Sequence, residues 1–195
     1  MIQVDRQAKA LLFDMDGTLI DTMGVHYKAS QIICNELGFD FPIEFFYEKA
    51  GIPTIKVFQM LMEDLNLPYD GKELGEKKEQ KFVELLAEVK PLDMVADIAK
   101  AYYQKIPMAI CTGGTKDVVQ KTLEITDMVK YFDVIITADD VMHPKPHPET
   151  FLKAAELLGI NPADCQVFED GEQGVIAGQR ANMIVTDIRP YLDIP

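Results

Sequence analysis

Asp14 and Asp16 stand two residues apart in Phe-Asp-Met-Asp-Gly-Thr-Leu, residues 13–19, where the apolar run Ala10-Leu11-Leu12-Phe13 gives out. The run reads as a buried strand, and the two-residue period of a strand aims both carboxylates the same way from its carboxyl end, with Met15 turned aside. Gly17 then permits a sharp turn. Two carboxylates this close repel each other, so the arrangement calls for a divalent cation or a shared proton, and magnesium is the natural candidate. With that charge compensated, Asp14 can attack phosphorus as a nucleophile, while Asp16 gives a proton to the leaving oxygen and later takes one from water. Phosphoryl transfer is the chemistry this pair suggests. A solvated turn is the alternative that the short peptide carries on its own.

Three further groups fit the same chemistry. Thr112 follows the apolar run Met108-Ala109-Ile110-Cys111, so its hydroxyl can meet a phosphate oxygen beside the Gly113 N–H, and Gly113-Gly114 lets backbone approach an anion closely. Lys145 lies in His-Pro-Lys-Pro-His-Pro, residues 143–148, where Pro144 and Pro146 restrict the directions its ammonium can take. His143 and His147 flank it, and His147 before Pro148 reads as the end of the loop rather than a catalytic base. Glu169-Asp170-Gly171 follows Val167-Phe168 and supplies hard oxygen ligands of the kind magnesium takes. Taken singly, Thr112 could cap a helix, and Glu169 and Asp170 could be helix N-terminal charges.

Taken in order, these four groups resemble the motifs of the haloacid dehalogenase superfamily of aspartate-nucleophile phosphohydrolases, over nearly the whole chain. The resemblance implies that Lys145 neutralises phosphate charge and contacts the nucleophile. It also implies a magnesium site made of the Asp14, Glu169 and Asp170 side chains with the Asp16 backbone carbonyl. Asp21-Thr22 followed by His26 resembles the beta-phosphoglucomutase branch, in which the matching His lies near the mouth of the active site. Lys78, four residues before Phe82, falls on an apolar stripe, which is odd for a freely solvated Lys, and it matches a Lys of that branch that reaches towards substrate. Local roles remain open for both: His26 covering a helix start, Lys77-Lys78 forming a charged face.

In the mutase an Arg of the cap loop holds a second phosphate, whereas Gly51-Ile52-Pro53-Thr54 places Thr54 there; Lys56 is near but is no equivalent fork of donors. This loop, with Lys90-Pro91-Leu92 and Ile106-Pro107-Met108-Ala109, is similar to bacterial fructose-1-phosphate phosphatases of the same branch. The expectation is therefore magnesium-dependent hydrolysis of a small sugar phosphate through an aspartyl-phosphate. The alternatives are beta-phosphoglucomutase and a non-catalytic phosphometabolite-binding protein. A phospho-accepting receiver domain also sets acids, a Thr and a Lys on a parallel sheet, but its accepting Asp lies well inside the domain, not on the first strand.

Around these residues, helical and strand signals alternate. Ala29, Ile32, Ile33 and Leu37, closed by Gly38, then Phe58, Leu61, Met62 and Leu65, then Phe82, Leu85, Leu86 and Val89 follow helical spacing, with Leu67-Pro68-Tyr69-Asp70-Gly71 as an internal turn. Residues 107–111, 134–137, 166–168 and 183–186 read as short buried strands, separated by helices marked by Val118, Thr122 and Ile125 and by Phe151, Ala154, Ala155 and Leu158. This predicts an α/β fold: a doubly wound parallel-sheet core, residues 1–20 and 91–195, with a small helical cap, residues 21–90, inserted after the first strand. In such sheets ligands bind at the strands' carboxyl ends, where Asp14, Thr112 and Glu169-Asp170 all fall.

The chain's 195 residues suffice for such a core. Lys and Arg total 19 against 32 Asp and Glu, a net charge of −13 that disfavours nucleic acid or an anionic membrane as partner. An anionic substrate must then meet local positive charge. No obligate protein partner is evident. Cys34, Cys111 and Cys165 lack metal-site spacing and read as reduced core residues of a cytoplasmic protein, and the charged N-terminus shows neither signal peptide nor membrane span.

Overall fold

Ala10 to Phe13 are fully buried and form β1 (Ala10–Phe13), the central strand of the computed structural model, which describes residues 2–49 and 52–192. The chain then runs through β2 (Ile20–Asp21), four helices α1 (Met23–Glu36), α2 (Ile43–Glu48), α3 (Thr54–Asp64) and α4 (Gly71–Leu85), and β3 (Lys90–Pro91). Helices and strands alternate thereafter: α5 (Asp93–Tyr102), β4 (Met108–Cys111), α6 (Lys116–Ile125), β5 (Val134–Ile136), α7 (Glu149–Leu158), β6 (Cys165–Glu169), α8 (Glu172–Arg180) and β7 (Ile184–Asp187). This is the expected α/β fold, a five-stranded parallel sheet with a helical segment inserted after the first strands. Among the described residues, no helix is long and apolar enough to cross a membrane.

The sheet order β5-β4-β1-β6-β7 puts β1 between β4 and β6, with Leu12 beside both Ala109 and Val167. The chain therefore reverses its direction of travel across the sheet on either side of β1, the switch point at which open α/β sheets leave a crevice at their carboxyl edge. Alternation along β1 sends Ala10 and Leu12 to a face filled by Phe151, Ala154 and Ala155 of α7 and Ala177 of α8. Phe13 turns to the other face, stacked on Phe168 at 4.9 Å and edge-on to Phe132 at 5.6 Å. Ala10, Ala109, Ala154 and Ala155 let α7 approach the Leu12 face closely.

Contacts between residues divide the chain into two units, Met1–Asp21 with Lys90–Pro195, and Thr22–Val89. In the first, β2 and β3 pair antiparallel, with Asp21 opposite Lys90, so the outgoing and returning segments run side by side. The second is built around Ile33, Cys34, Phe41, Phe58, Leu61 and Leu74. Its tightest seam joins α3 to α4: a Cβ on Gly71 would lie 2.6 Å from the Gln59 backbone, and one on Gly75 would lie 2.7 Å from Ile55 Cα. Asp70 caps α4 by accepting the Lys72 N–H at 2.8 Å.

The structure corrects several local expectations. Leu65 and Ile125 end their helices exposed rather than on the buried stripe, and α6 buries Val119, Thr122 and Leu123 instead of a face through Val118. The short helix α2 and the β2–β3 pair carry no sequence periodicity long enough to show. All three cysteines are free and buried. Burial pushes the Cys34 thiol up to about 12 and the Cys165 thiol up to about 11, and it raises Cys111 as well, so none is a poised nucleophile.

The α3–α4 seam can be tested with a matched pair of substitutions. Gly75→Ala should destabilise the protein by about 1–3 kcal/mol, because backbone must move to admit the methyl. Gly24→Ala, in α1 with nothing within 4 Å of the added Cβ, should be neutral or stabilise by about 0.5–1 kcal/mol. Thermal unfolding of both would contradict the packing if Gly75→Ala were the more stable.

Candidate active site

The carboxyl edge of the sheet gathers Asp14, Lys145, Glu169 and Asp170. Asp14 follows β1 directly, and its N–H donates to the Phe168 carbonyl at 3.0 Å, so β6 fixes its backbone. Glu169 is the last residue of β6, one position later than the sequence pattern ended that strand. The Lys145 ammonium donates to Asp14 Oδ1 and Glu169 Oε1, both at 2.6 Å, and to the Cys111 carbonyl at 2.9 Å. It also lies 4.9 Å from the centre of the Phe151 ring. The side chains of Lys145, Asp14 and Glu169 are only 12%, 11% and 3% exposed, which makes these interactions far stronger than surface ion pairs.

Negative charge is nonetheless in excess. Carboxylate oxygens of Asp14, Glu169 and Asp170 all lie within 4.8 Å of one another. Burial pushes the Asp14 carboxyl well above the usual range; Lys145 opposes this, while Glu169 and Asp170 add to it. Burial also raises Asp170, to about 6, against the lowering effect of the Thr18 hydroxyl that donates to its Oδ1 at 2.6 Å. For Lys145, burial disfavours the charge, but Asp14 and Glu169 outweigh it and push the pKa up, so the ammonium persists. A crowded set of hard oxygen donors suits a small divalent cation, and magnesium fits it by donor chemistry.

Glycines make the room. Gly17, at φ +83°, passes so close to Asp170 that a Cβ there would sit 2.4 Å from Asp170 Oδ2. A Cβ on Gly174 of α8 would fall 1.6 Å from Glu169 Oε1, and the Gly171 N–H donates to Glu169 Oε2 at 2.7 Å. Thr112 is buried at the end of β4, and its Oγ1 accepts the Gly114 N–H at 3.0 Å, which leaves the hydroxyl proton to be given elsewhere. The position a Gly114 Cβ would take is 3.5 Å from Thr112 Oγ1 and 3.8 Å from Asp16 Oδ2, so the Asp16 carboxylate and the Thr112 hydroxyl flank the same glycine. Gly113 is exposed, with nothing within 4 Å of an added Cβ.

Within the helical unit, the structure brings His26, Thr54 and Lys78 together. Lys78 Nζ lies 2.7 Å from His26 Nδ1, 3.3 Å from Thr54 Oγ1 and 3.1 Å from Glu79 Oε1, on a residue only 3% exposed. The His26 ring stacks on Phe82 at 3.8 Å. Burial would raise the Glu79 carboxyl, but Lys78, Thr54 and His26 together hold it below its ordinary value. Lys56 is exposed, and Gly51 of the Gly-Ile-Pro-Thr loop lies outside the described residues. His147 is exposed just before α7, as a loop end should be.

Sequence reasoning missed Thr18, Gly174 and Glu79. Thr18 was visible as the Thr of Asp-x-Asp-Gly-Thr, but its partner Asp170 is 152 residues away. Gly174 carried no signal, since its role is the space that Glu169 fills.

A model of the family described as "Haloacid dehalogenase-like hydrolase" matches residues 11–188. The chain is 36% identical over 180 residues to the fructose-1-phosphate phosphatase YqaB of Escherichia coli (strain K12), covering 92% of this chain and 95% of that protein. It is 31% identical over 179 residues to a phosphorylated carbohydrates phosphatase of Thermotoga maritima, covering 90% and 82%. Among solved structures, the beta-phosphoglucomutase of Clostridium difficile matches with a TM-score of 0.77 at 26% identity, over 92% of this chain and 84% of that one.

The buried charge yields a stability prediction. Asp170, near 6 when folded against about 3.9 unfolded, keeps its proton in the folded state while the unfolded chain loses its own, so metal-free stability should fall as pH rises from about 4 to 6. Above that window Asp170→Asn should therefore raise the metal-free Tm, by on the order of 2 kcal/mol in unfolding free energy, and weaken the further stabilisation by magnesium. A variant with a lower metal-free Tm and an unchanged magnesium response would contradict the charge balance described.

Proposed function

This chain belongs to the haloacid dehalogenase-like hydrolases, and we propose that it is a magnesium-dependent phosphatase that hydrolyses a small sugar phosphate through an aspartyl-phosphate on Asp14. The observation that carries the proposal is the Lys145 ammonium bridging Asp14 and Glu169 at 2.6 Å, beside a third carboxylate, at the carboxyl edge of the sheet. A structural ion pair would be served by one carboxylate. Three carboxylates around one ammonium leave a negative surplus that folding alone gives no reason to keep.

In the proposed reaction two displacements at phosphorus follow one another. Lys145 and the Thr112 hydroxyl, with the Gly113 N–H, bind the phosphoryl oxygens and hold the phosphorus in front of Asp14. The Asp14 carboxylate attacks, the bond from phosphorus to the sugar oxygen breaks, and Asp16 gives that oxygen its proton. Asp16, now ionised, takes a proton from water as the water attacks the aspartyl-phosphate, releasing phosphate and restoring Asp14. The Asp14, Glu169 and Asp170 side chains with the Asp16 carbonyl would hold magnesium, whose chemistry when bound is to neutralise charge developing on the phosphoryl group. His26 and Lys78 would orient the sugar.

Hydrolysis rather than mutase chemistry is supported by Thr54. A mutase must retain a bisphosphate, which favours a bidentate Arg; Thr54 instead has a single hydroxyl already engaged with Lys78 and Glu79. The similarity to two phosphatases acting on phosphorylated carbohydrates supports the same reading. The similarity to a solved beta-phosphoglucomutase keeps the mutase as the second reading.

With magnesium present, fructose 1-phosphate or a similar hexose phosphate should release inorganic phosphate, and beta-glucose 1-phosphate should give little glucose 6-phosphate even with catalytic bisphosphate. Faster isomerisation than phosphate release would replace the phosphatase by the mutase, and no turnover of any phosphomonoester would leave a binding protein. In the same assay Asp14→Asn should abolish turnover. Asp16→Asn should bind substrate but lose about 10²–10⁴-fold in rate at each step that needs its proton. Near-normal activity in either variant would remove the assigned role.

A further inference from the structure

We propose that His143, His147 and Glu149 form a second metal site, selective for zinc-like borderline cations, on the loop that carries Lys145. His143 Nδ1 lies 2.8 Å from Glu149 Oε2, and His147 Nδ1 lies 3.8 Å from the same oxygen. The two imidazole rings are 4.7 Å apart between centroids, and one ligand atom from each of the three residues falls within 4.8 Å of the others. A tetrahedral cation at about 2.0–2.1 Å from nitrogen or oxygen needs ligand–ligand separations of about 3.3–3.4 Å, which these two distances bracket. Each distance to Glu149 Oε2 needs a shift of about half an ångström, and the exposed rings of His143 and His147 must bring their nitrogens, now within 4.8 Å, to the same spacing.

The carboxylate is already oriented. The Met142 N–H donates to Glu149 Oε1 at 2.8 Å and the His143 N–H to Oε2 at 3.1 Å, the kind of outer hydrogen bonding that fixes a ligand. These two amides and the His143 ring hold the Glu149 carboxyl below its ordinary pKa, so it is ionised at neutral pH. A cation would take the place of the hydrogen bond between His143 Nδ1 and Glu149 Oε2, with Nδ1 as the ligand atom. At His147 it would displace only the 3.3 Å contact from the Glu149 N–H. Two imidazoles and one carboxylate favour zinc, nickel or copper over magnesium, so the site differs in ligand chemistry from the all-carboxylate cluster at the sheet edge. Lys145 lies between the two histidines in sequence, so the chelate would close the loop that aims the ammonium at Asp14.

The test is zinc titration by calorimetry on the whole protein in excess magnesium, which loads the carboxylate cluster. One zinc equivalent should bind and raise the Tm, and His143→Gln/His147→Gln should weaken binding at least tenfold and abolish the Tm shift. Substoichiometric nickel should broaden the NMR ring signals of His143 and His147, assigned from the single variants among the chain's three histidines. Unchanged zinc affinity in the double variant, or no zinc binding to the wild type, would overturn the proposal, as would unbroadened His143 and His147 signals.

Discussion

Lys145 is the only cation bound to Asp14 and Glu169 among the ion pairs of the described residues, and it is set against three carboxylates rather than one. Burial weakens the screening of each of these charges, so the arrangement holds only if backbone from several elements fixes every member. β1 and β6 fix Asp14 and Glu169 side by side, the Cys111 carbonyl at the end of β4 accepts a hydrogen bond from Lys145, and Thr18 and Gly17 close on Asp170. The sheet order brings the ends of β4, β1 and β6 next to one another, and this adjacency lets residues distant in sequence share one charge balance. The residual negative charge is the physical reason the site would hold a cation, and in the proposed reading that cation and Lys145 let an acidic chain meet an anionic substrate.

The helical unit repeats the same economy of charge on a smaller scale. Lys78 is buried against His26, Thr54 and Glu79, and the His26 ring is flattened onto Phe82. In the proposed reading Lys78 and His26 orient the sugar, while the hydroxyl of Thr54 is a weaker anion grip than a guanidinium. In the proposed reading, this difference separates losing the phosphate to water from keeping a bisphosphate in place.

Much of this was legible in the sequence because it is local. Asp14, Thr112 and Glu169-Asp170 sit at the ends of short apolar runs, and a run of that kind marks both the strand and the edge at which it stops. The insertion was visible as a change from strand runs to helical stripes. What stayed hidden depends on distant pieces meeting. Gly174 matters for the volume of Glu169, and Glu79 for its place beside Lys78 and Thr54. The buried stripe of α6 runs through Val119 and Leu123 because its packing partners, and not its own periodicity, decide which neighbouring apolar residue turns inward. α2 and the two-residue β2–β3 pair are too short for any period to register.

Whether phosphate passes through Asp14 or goes straight to water is decided by the steric course at phosphorus. A phosphorothioate monoester substrate made chiral at phosphorus with two oxygen isotopes, turned over with magnesium in water carrying the third, should yield chiral thiophosphate with net retention of configuration, because two in-line displacements each invert the centre. Net inversion would mean a single attack by water, and Asp14 would not be the nucleophile.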